Sequence, residues 1–261
     1  MQVISSKDNE FVKHLKKLKE KKYRDMSQEY IIEGIKLIKE AIEESVKIKQ
    51  IIICENCLNS DIIPKELMYE IAKFECIYVT EKIFKSISDV STPQGILAIV
   101  DRQNIDLKID YSQDIIVALD DIQDPGNLGT ILRTVDSIGL NQILVSKGTA
   151  DPYNPKVVRS TMGAIFRVKI IECEDLIKTL KQVQKNKFDL VVTSLQTNNS
   201  IYDLKYDKKA IVIGNEANGV KKEIQEMADY KVKIPMLGKT ESLNASVATG
   251  VILYEYVRQK I

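Results

Sequence analysis

The stretch of sequence that decides the fold runs from residue 115 to residue 133 and reads IIVALDDIQDPGNLGTILR. Its first five residues, 115–119, are all apolar and predict a buried strand, and a polar loop with proline and glycine follows. From Asn127 onwards the apolar spacing predicts a helix over 127–138. A short apolar strand that leads through a polar turn into a helix is typical of a parallel sheet covered on both faces.

The same alternation of strands and helices continues to the end of the chain, which indicates one α/β domain over residues 114–261. The predicted strands are 115–119, 142–146, 168–171, 190–194, 210–213 and 231–234. The predicted helices are 127–138, 155–162, 175–185 and 243–260. We therefore expect an α/β fold with a parallel sheet in this part of the chain.

A second, smaller α/β domain is predicted for residues 1–101, and the polar, aperiodic residues 102–113 are predicted to be a linker. The predicted strands of the small domain are 29–32, 48–54, 76–79 and 95–101. Its predicted helices are 34–44, 64–74 and 81–88. Residues 7–24 carry eight cations against three acidic groups and predict one amphipathic helix with a basic face, which either faces water or binds a polyanion.

Composition restricts the class of protein. The 261 residues contain 38 Lys and Arg against 37 Asp and Glu, so the net charge of +1 does not by itself indicate a nucleic-acid partner. The longest stretch without a charged residue, Ser242–Tyr254, is shorter than the roughly 20 residues that a membrane span needs. The N-terminal residues lack an apolar signal-peptide core. We expect a cytoplasmic protein that is neither membrane-embedded nor secreted.

The cysteines and the single histidine argue against a metal centre. Cys54 and Cys57 form a CxxC pair, but no second pair follows, and His14 is the only histidine of the chain. A two-histidine metal site is therefore impossible, and a Ser-His-Asp triad is difficult to build. We expect Cys54, Cys57, Cys76 and Cys173 to be reduced thiols and expect no bound metal.

Polar residues concentrate in three loops that follow apolar strands, where open α/β sheets bind their ligands. The first loop is in the stretch quoted above, the second reads IVIGNEANG (211–219), and the third reads IPMLGKTESLNASVATG (234–250). Neither the GxGxxG fingerprint nor a Gly-Lys-Ser/Thr loop is present, which disfavours a nucleotide-dependent dehydrogenase. Taken singly, each loop also fits a plain structural role, with Asn127 and Ser242 as helix caps.

Taken together, the three loops resemble the signature motifs of the SpoU (TrmH-type) RNA ribose 2′-O-methyltransferases of the SPOUT superfamily. The matching residues of the first and second motifs are Asn127, Gly129, Arg133, Gly214 and Glu216. The matching residues of the third motif are Pro235, Gly238, Ser242, Leu243, Asn244, Ser246 and Ala248. Residues 1–101, through Ser5, Asp8 and the segment 30–34, resemble the substrate-binding domain of the family members that act on ribosomal RNA.

The resemblance implies a C-terminal trefoil knot, a ribosomal-protein-like N-terminal domain and a homodimer formed through the knot region. It implies methylation of a ribose 2′-hydroxyl in RNA, most of all ribosomal RNA of the 23S type, with S-adenosylmethionine as cofactor. Two alternatives stay open. One is a tRNA ribose 2′-O-methyltransferase, and the other is a catalytically silent RNA-binding or ribosome-assembly protein.

The resemblance also assigns roles to individual residues. The implied catalytic residues are Arg133, Asn127, Glu216, Ser242 and Asn244. The implied cofactor-binding residues are Thr193, Ser194, Leu195, Gly214, Ile234, Met236, Leu243 and Ser246. With this resemblance, the basic helix is expected to bind RNA through Lys16, Lys17, Lys21, Lys22 and Arg24. The family motif gives Arg133 the role of base. A guanidinium has a pKa of about 12 or more and stays protonated at neutral pH, so we expect Arg133 to orient the ribose hydroxyl and an RNA phosphate instead. Glu216 is expected to anchor either the motif loops or Arg133.

Overall fold

The computed structural model describes residues 3–58, 60, 62–102 and 108–261. Its strands are β1 (Val3–Ile4), β2 (Glu29–Glu33), β3 (Ile48–Cys54), β4 (Cys76–Val79), β5 (Ile96–Asp101), β6 (Ile115–Asp120), β7 (Gln142–Ser146), β8 (Lys169–Cys173), β9 (Asp189–Thr193), β10 (Lys209–Gly214) and β11 (Tyr230–Val232). Its α-helices are α1 (Glu10–Lys17), α2 (Lys21–Ser27), α3 (Ile35–Glu43), α4 (Lys65–Ile71), α5 (Glu81–Ile87), α6 (Pro125–Ser137), α7 (Pro155–Thr161), α8 (Leu176–Lys185), α9 (Lys222–Glu226) and α10 (Ala245–Lys260).

The chain folds into two compact units, and their bounds differ from the predicted domains in one segment. The first unit comprises Met1–Ile105 with Tyr153–Phe166, and the second comprises Asp106–Pro152 with Arg167–Ile261. The segment around α7 therefore packs in the first unit, although its place in the sequence puts it in the larger domain. The centroids of the Tyr153 and Tyr30 rings are 4.9 Å apart. The guanidinium carbon of Arg102 lies over the Tyr153 ring, 4.2 Å from its centroid. Residues 103–107 of the predicted linker lie outside the described residues.

The first unit is built on a five-stranded mixed sheet with the strand order β1-β4-β3-β5-β2. β5 runs antiparallel to β3 and β2, and the remaining pairs are parallel. Ile51, Ile52 and Ile53 of β3 are all fully buried. Because successive side chains of a strand point to opposite faces, both faces of this sheet are covered at β3.

The basic segment forms two helices, α1 and α2, instead of the single helix that its spacing predicts. Beyond Lys17 the N–H groups of Lys19 and Glu20 turn back to carbonyls three residues earlier, which ends α1 in a tight turn. The guanidinium of Arg24 donates a 2.7 Å hydrogen bond to the carbonyl of Leu18 and is buried, with 2% of the residue exposed. The prediction that Arg24 binds RNA is therefore wrong, because its side chain stabilises the end of α1.

The second unit has a six-stranded sheet with the order β11-β9-β10-β6-β7-β8, and every neighbouring pair is parallel. This confirms the predicted α/β fold with a parallel sheet. From β6 the chain first adds β7 and β8 on one side, and then returns to build β9, β10 and β11 on the other. The strand order thus reverses between β6 and β10, and such a switch point is where α/β sheets bind ligands.

Two helices of this unit begin at residues other than those predicted. α6 begins at Pro125 and is capped by Asp124, whose side chain accepts from the N–H of Asn127 at 2.8 Å. α10 begins at Ala245 and is capped by Asn244, so Ser242 lies outside the helix. Aspartate and asparagine are both strong N-caps, and proline suits the first helical position. The structural alternative for Asn127 and Ser242, that each caps a helix, therefore does not hold, and the Asn127 side chain is left for tertiary contacts.

The C-terminal helix α10 packs against α6 and β10. Leu253 is fully buried, whereas Val247 and Tyr254 are each about half exposed. The Tyr254 hydroxyl lies 3.3 Å from the hydroxyl of Ser137 on α6. Across the described residues, no helix combines the length and the apolar character that a membrane crossing requires.

Candidate functional site

The first and second polar loops lie side by side at the switch point of the parallel sheet. β6 and β10 pair in register from Lys209 opposite Ile115 to Gly214 opposite Asp120, so both strands end at the same level. The loop that follows β6 leads into α6 with Asn127, and the loop that follows β10 carries Glu216. The sheet topology thus brings together two motifs that are about 90 residues apart in sequence.

A chain of hydrogen bonds connects all three motifs. Asn127 Nδ2 donates to Glu216 Oε1 at 2.8 Å, and Asn127 Oδ1 accepts from Asn244 Nδ2 at 2.9 Å. Asn244 Oδ1 in turn accepts from the backbone N–H and the hydroxyl of Ser246 at the start of α10. Because an ionised carboxylate only accepts hydrogen bonds, Glu216 fixes the orientation of the Asn127 amide, and Asn127 then fixes that of Asn244.

Glu216 is held by three donors from the first motif. Besides Asn127, the backbone N–H groups of Gln123 and Asp124 donate to its carboxylate at 3.2 and 3.3 Å. Partial burial raises the pKa of Glu216, but these hydrogen bonds, led by that from Asn127, outweigh burial, so its pKa lies below the usual range. No ion pair between Glu216 and Arg133 is present in the part of the chain that the structure describes. The geometry thus favours the first expected role of Glu216, the anchoring of the motif loops.

Beside this chain of hydrogen bonds lies a cleft of about 450 Å³ at the ends of β9, β10 and β11. Its lining includes seven of the eight predicted cofactor residues, which are Thr193, Ser194, Leu195, Gly214, Ile234, Met236 and Leu243. Ser242 and Glu216 line it as well. Ser246 is not among the lining residues, since it is buried and its hydroxyl donates to Asn244 at 2.7 Å. This removes Ser246 from the predicted cofactor set.

The wall of the cleft that follows β10 is a loop folded tightly on itself. The N–H of Asn215 donates to the carbonyl of Gly219 at 3.0 Å, and the N–H of Gly219 donates back at 2.9 Å. A Cβ atom on Gly214 would lie 2.2 Å from backbone atoms of Gly219 and Val220, so only glycine fits there. The wall offers backbone donors and acceptors beside the apolar Ile234 and Leu243, a combination that suits the nucleoside and the aliphatic chain of S-adenosylmethionine.

Arg133 lies apart from the cleft of its own chain. It is exposed on α6, less than two turns after Asn127, and it is not among the cleft-lining residues. Asn127 and Asn244 are likewise absent from the lining; Asn127 contacts the cleft-lining Glu216, and Asn244 contacts Asn127. A single chain therefore brings the predicted cofactor residues together but does not bring Arg133 to them.

A group of charged residues at the end of β6 was not predicted from the sequence. Lys221 contacts the carboxylates of Asp120 and Asp121, and Asn215 donates to the carbonyl of Asp121 at 2.8 Å. The sequence did contain a signal for this group, the Asp120-Asp121 pair directly after an apolar strand. A carboxylate at the end of a buried strand is partly removed from water and therefore needs a cation or a hydrogen-bond donor nearby.

The CxxC pair packs as part of the core of the first unit. Cys54 and Cys57 are both buried, and burial together with the neighbouring Cys54 raises the pKa of the Cys57 thiol. A buried thiol with a raised pKa is a poor nucleophile and metal ligand. Among the residues that can be described, no three His, Cys, Asp or Glu side chains are grouped so that they could hold a metal ion.

Comparisons with known families match both parts of the chain. The model of the SpoU rRNA Methylase family matches residues 114–254, which contain all three motifs. The model of the MRM3-like substrate binding domain matches residues 9–98.

Individual relatives match over nearly the whole length. The 23S rRNA (guanosine(2553)-2′-O)-methyltransferase RlmP of Bacillus subtilis is 31% identical over 97% of this chain and 98% of its own. The AdoMet-bound rRNA methyltransferase of Sinorhizobium meliloti has a TM-score of 0.87 at 28% identity, covering 100% and 98% of the two chains. The AdoMet complex of the SpoU methyltransferase AviRb of Streptomyces viridochromogenes has a TM-score of 0.88 at 27% identity, covering 97% and 98%.

Proposed function

Because the chain belongs to the SpoU rRNA methylase family and is an RNA 2′-O-ribose methyltransferase that uses S-adenosylmethionine, we propose that ribosomal RNA of the 23S type is its substrate. The observation that favours an active enzyme over a silent RNA-binding protein is the chain of hydrogen bonds from Glu216 through Asn127 to Asn244 beside the cofactor cleft. A silent RNA-binding protein would have no need to keep this arrangement. The B. subtilis relative, which is named for 23S rRNA and spans both parts of the chain, supports ribosomal RNA over tRNA.

The chemistry requires alignment of the ribose hydroxyl and removal of its proton. S-adenosylmethionine supplies an electrophilic methyl group with a thioether as leaving group. The cleft residues Thr193, Gly214 and Leu243 hold the cofactor, and Arg133 orients the 2′-hydroxyl together with an adjacent RNA phosphate. Since a guanidinium remains protonated at neutral pH, the proton leaves through the phosphate or water. Asn127 acts indirectly, by fixing the start of the helix that carries Arg133.

Direct mapping of methylated nucleotides tests the substrate. We expect one 2′-O-methyl position of the large ribosomal RNA to be lost in cells that lack the gene and to return when the gene is restored. Loss of a tRNA position alone, with ribosomal RNA unchanged, would establish the tRNA alternative instead. Unchanged methylation of both RNAs would support the catalytically silent protein.

We also propose that the active enzyme is a homodimer formed through α6 and α10, with the family's trefoil knot in the C-terminal segment. Support comes from an apolar stripe on α10, formed by the exposed Val247 and Tyr254 with the half-buried Val251 between them; α10 packs against α6, the helix that carries Arg133. Such a stripe on a closing helix indicates a surface that a partner covers. A dimer in which this stripe is buried would also allow Arg133 to reach the cleft of the partner chain, which its own cleft does not allow.

Light scattering tests the dimer. We expect a mass of twice the chain mass of 29.6 kDa at micromolar concentration. The double variant Val247→Asp, Tyr254→Glu is expected to be monomeric, because it places two charges on the apolar stripe. Tyr69→Glu is a control for an added surface charge, since Tyr69 is also exposed, at 76%, but lies on α4 of the first unit. A wild-type monomer would contradict the proposal.

RNA affinity is proposed to come in part from Lys16, Lys17, Lys21 and Lys22 on α1 and α2. Ion pairs with acidic side chains are found for Lys13 and Lys19 but for none of these four lysines within the described residues. Replacing the four with Gln is expected to weaken RNA binding and to flatten its salt dependence. Each lost phosphate contact reduces the log–log slope by roughly 0.7 to 0.9, because fewer counterions are released.

A control variant separates this role from a general effect of charge. Lys39, Lys73 and Lys85 belong to the same unit but pair with Glu43, Glu70 and Glu81, which lie three or four residues away along the chain. Their replacement with Gln should leave the slope close to that of the wild type. If the α1–α2 variant also keeps the wild-type slope in a binding titration at several salt concentrations, these helices do not bind RNA.

A further inference from the structure

Lys221 bridges the two motif loops at the end of the parallel sheet. Its ammonium lies 2.7 Å from Asp121 Oδ2 and 3.1 Å from Asp120 Oδ1, and its backbone N–H donates to Asp120 Oδ2 at 2.7 Å. Asp120 is the last residue of β6 and is only 1% exposed. A buried carboxylate needs a nearby cation, and Lys221 supplies it. The contact therefore fixes the loop that ends at Lys221 to the end of β6.

The loop between Gly214 and Lys221 is consequently held at both of its ends. At its start, Asn215 donates to the carbonyl of Asp121, and Glu216 accepts from the backbone after β6. At its end, Lys221 contacts both aspartates. The loop is also folded back on itself through the backbone hydrogen bonds between Asn215 and Gly219. Because the loop has little conformational freedom, a displacement of Lys221 also displaces Glu216.

The anchor to which Lys221 binds is itself rigid. Asp121 has a left-handed backbone with φ of 57°, and Ser146 at the end of β7 both accepts from its N–H and donates to its carboxylate. The hydrogen bond to Asp121 raises the pKa of Lys221 despite partial burial, so the ammonium is charged at neutral pH. Lys221 thus connects the loop to two neighbouring strands of the sheet.

We propose that Lys221 is a positioning residue for methyl transfer, which sets the place of the 214–220 loop. One side of this loop is a wall of the cofactor cleft, and the other presents Glu216 to Asn127. The same bridge therefore controls both the affinity for S-adenosylmethionine and the alignment of the motif that carries Arg133. The expected effect on the alignment of Arg133 rests on the proposed function, whereas the effect on cofactor affinity does not, because that affinity can be measured without RNA.

The variant Lys221→Met tests the proposal, since methionine keeps the length of the side chain but removes its charge and donors. We expect calorimetry to show roughly tenfold weaker binding of S-adenosylmethionine, and the rate at saturating cofactor and RNA to fall by roughly tenfold or more, because small displacements of aligned groups have large effects on rate. Lys221→Arg should keep most of the cofactor affinity and most of the rate, because a guanidinium can bridge the two carboxylates.

Lys222 provides a matched control on the adjacent residue. Its side chain is almost fully exposed and pairs with Glu226 one turn further along α9, and such surface pairs contribute little. Lys222→Met should therefore bind cofactor and turn over like the wild type. The proposal is overturned if Lys221→Met behaves like Lys222→Met, or if its only defect is a lower melting temperature while affinity and rate per folded molecule are unchanged.

Asp121→Asn provides a milder test should Lys221→Met fold poorly, because it removes one carboxylate of the bridge and leaves Asp120 paired with Lys221. We expect Asp121→Asn to weaken the binding of S-adenosylmethionine, as Lys221→Met does. Unchanged affinity in this variant would overturn the proposal. Failure of the proposed function gives a different pattern, in which the wild type binds S-adenosylmethionine but transfers no methyl group to ribosomal RNA.

Discussion

Replacing Arg133 with alanine should reduce methyl transfer by at least about a hundredfold, as expected for the loss of one charged donor at a reacting oxygen, and leave the affinity for S-adenosylmethionine unchanged. The reason for this separation is geometric. Arg133 is exposed on α6 and is absent from the cleft that contains the predicted cofactor residues. Calorimetry with S-adenosylmethionine, run beside a tritium-transfer assay on ribosomal RNA, measures the two effects independently.

Arg133→Lys is the control for this result. Lysine keeps the charge but presents a single ammonium, which cannot hold the ribose hydroxyl and a phosphate in one plane as the guanidinium fork does. We expect its rate to lie between those of the wild type and the alanine variant. Near-normal turnover by Arg133→Ala would contradict the assignment, and a parallel loss of cofactor affinity would place Arg133 in the cofactor site instead.

Replacing Asn127 with alanine is expected to lower both stability and rate. The substitution removes the buried amide of Asn127 together with its hydrogen bonds to Asn244 and Glu216. Such bonds contribute roughly 0.5–1.5 kcal/mol each to the free energy of unfolding, or roughly 1.5–3 kcal/mol where one partner is charged. Since the three motifs are then no longer connected, we expect the rate at saturation to fall by roughly a hundredfold. Denaturant titration and single-turnover assays provide the two measurements.

Asn56→Ala is the matched control for this variant. Asn56 also donates its side-chain amide to a glutamate, Glu81 at 3.1 Å, but the pair is exposed and lies in the first unit. Its loss should change stability by less than about 0.5 kcal/mol, as is usual for surface substitutions. If Asn127→Ala is as active as Asn56→Ala, the hydrogen-bonded connection between the motifs has no part in the reaction.

The strands of this protein follow from local sequence. The predicted bounds of β3, β4 and β7 agree with the structure, and those of the other strands predicted in the sheet of the second unit differ by at most two residues. The agreement has a physical basis, because a short, largely apolar run between polar turns suits a strand that is covered on both faces of its sheet. The three motifs could be recognised for a related reason, since each directly follows such a strand.

Side-chain roles at helix ends could not be predicted from local propensity. The spacing of residues 7–24 predicts one helix, yet the chain turns after Lys17, and Arg24 is buried against the end of α1. Likewise, Asn127 could have been a helix cap, but Asp124 takes that position. Asparagine and aspartate cap helices about equally well, so local propensity alone does not choose between them.

The sequence by itself determined the strand–helix order, the parallel sheet of the second unit and the three motifs. Only the tertiary structure decided that Tyr153–Phe166 packs in the first unit, that Lys221 joins the motif loops, and that Asn127 connects Glu216 with Asn244. The partners of Asn127 lie 89 and 117 residues away along the chain. Burial patterns are local and can be read from neighbouring residues, whereas the pairing of polar side chains depends on which strand ends the sheet topology places together.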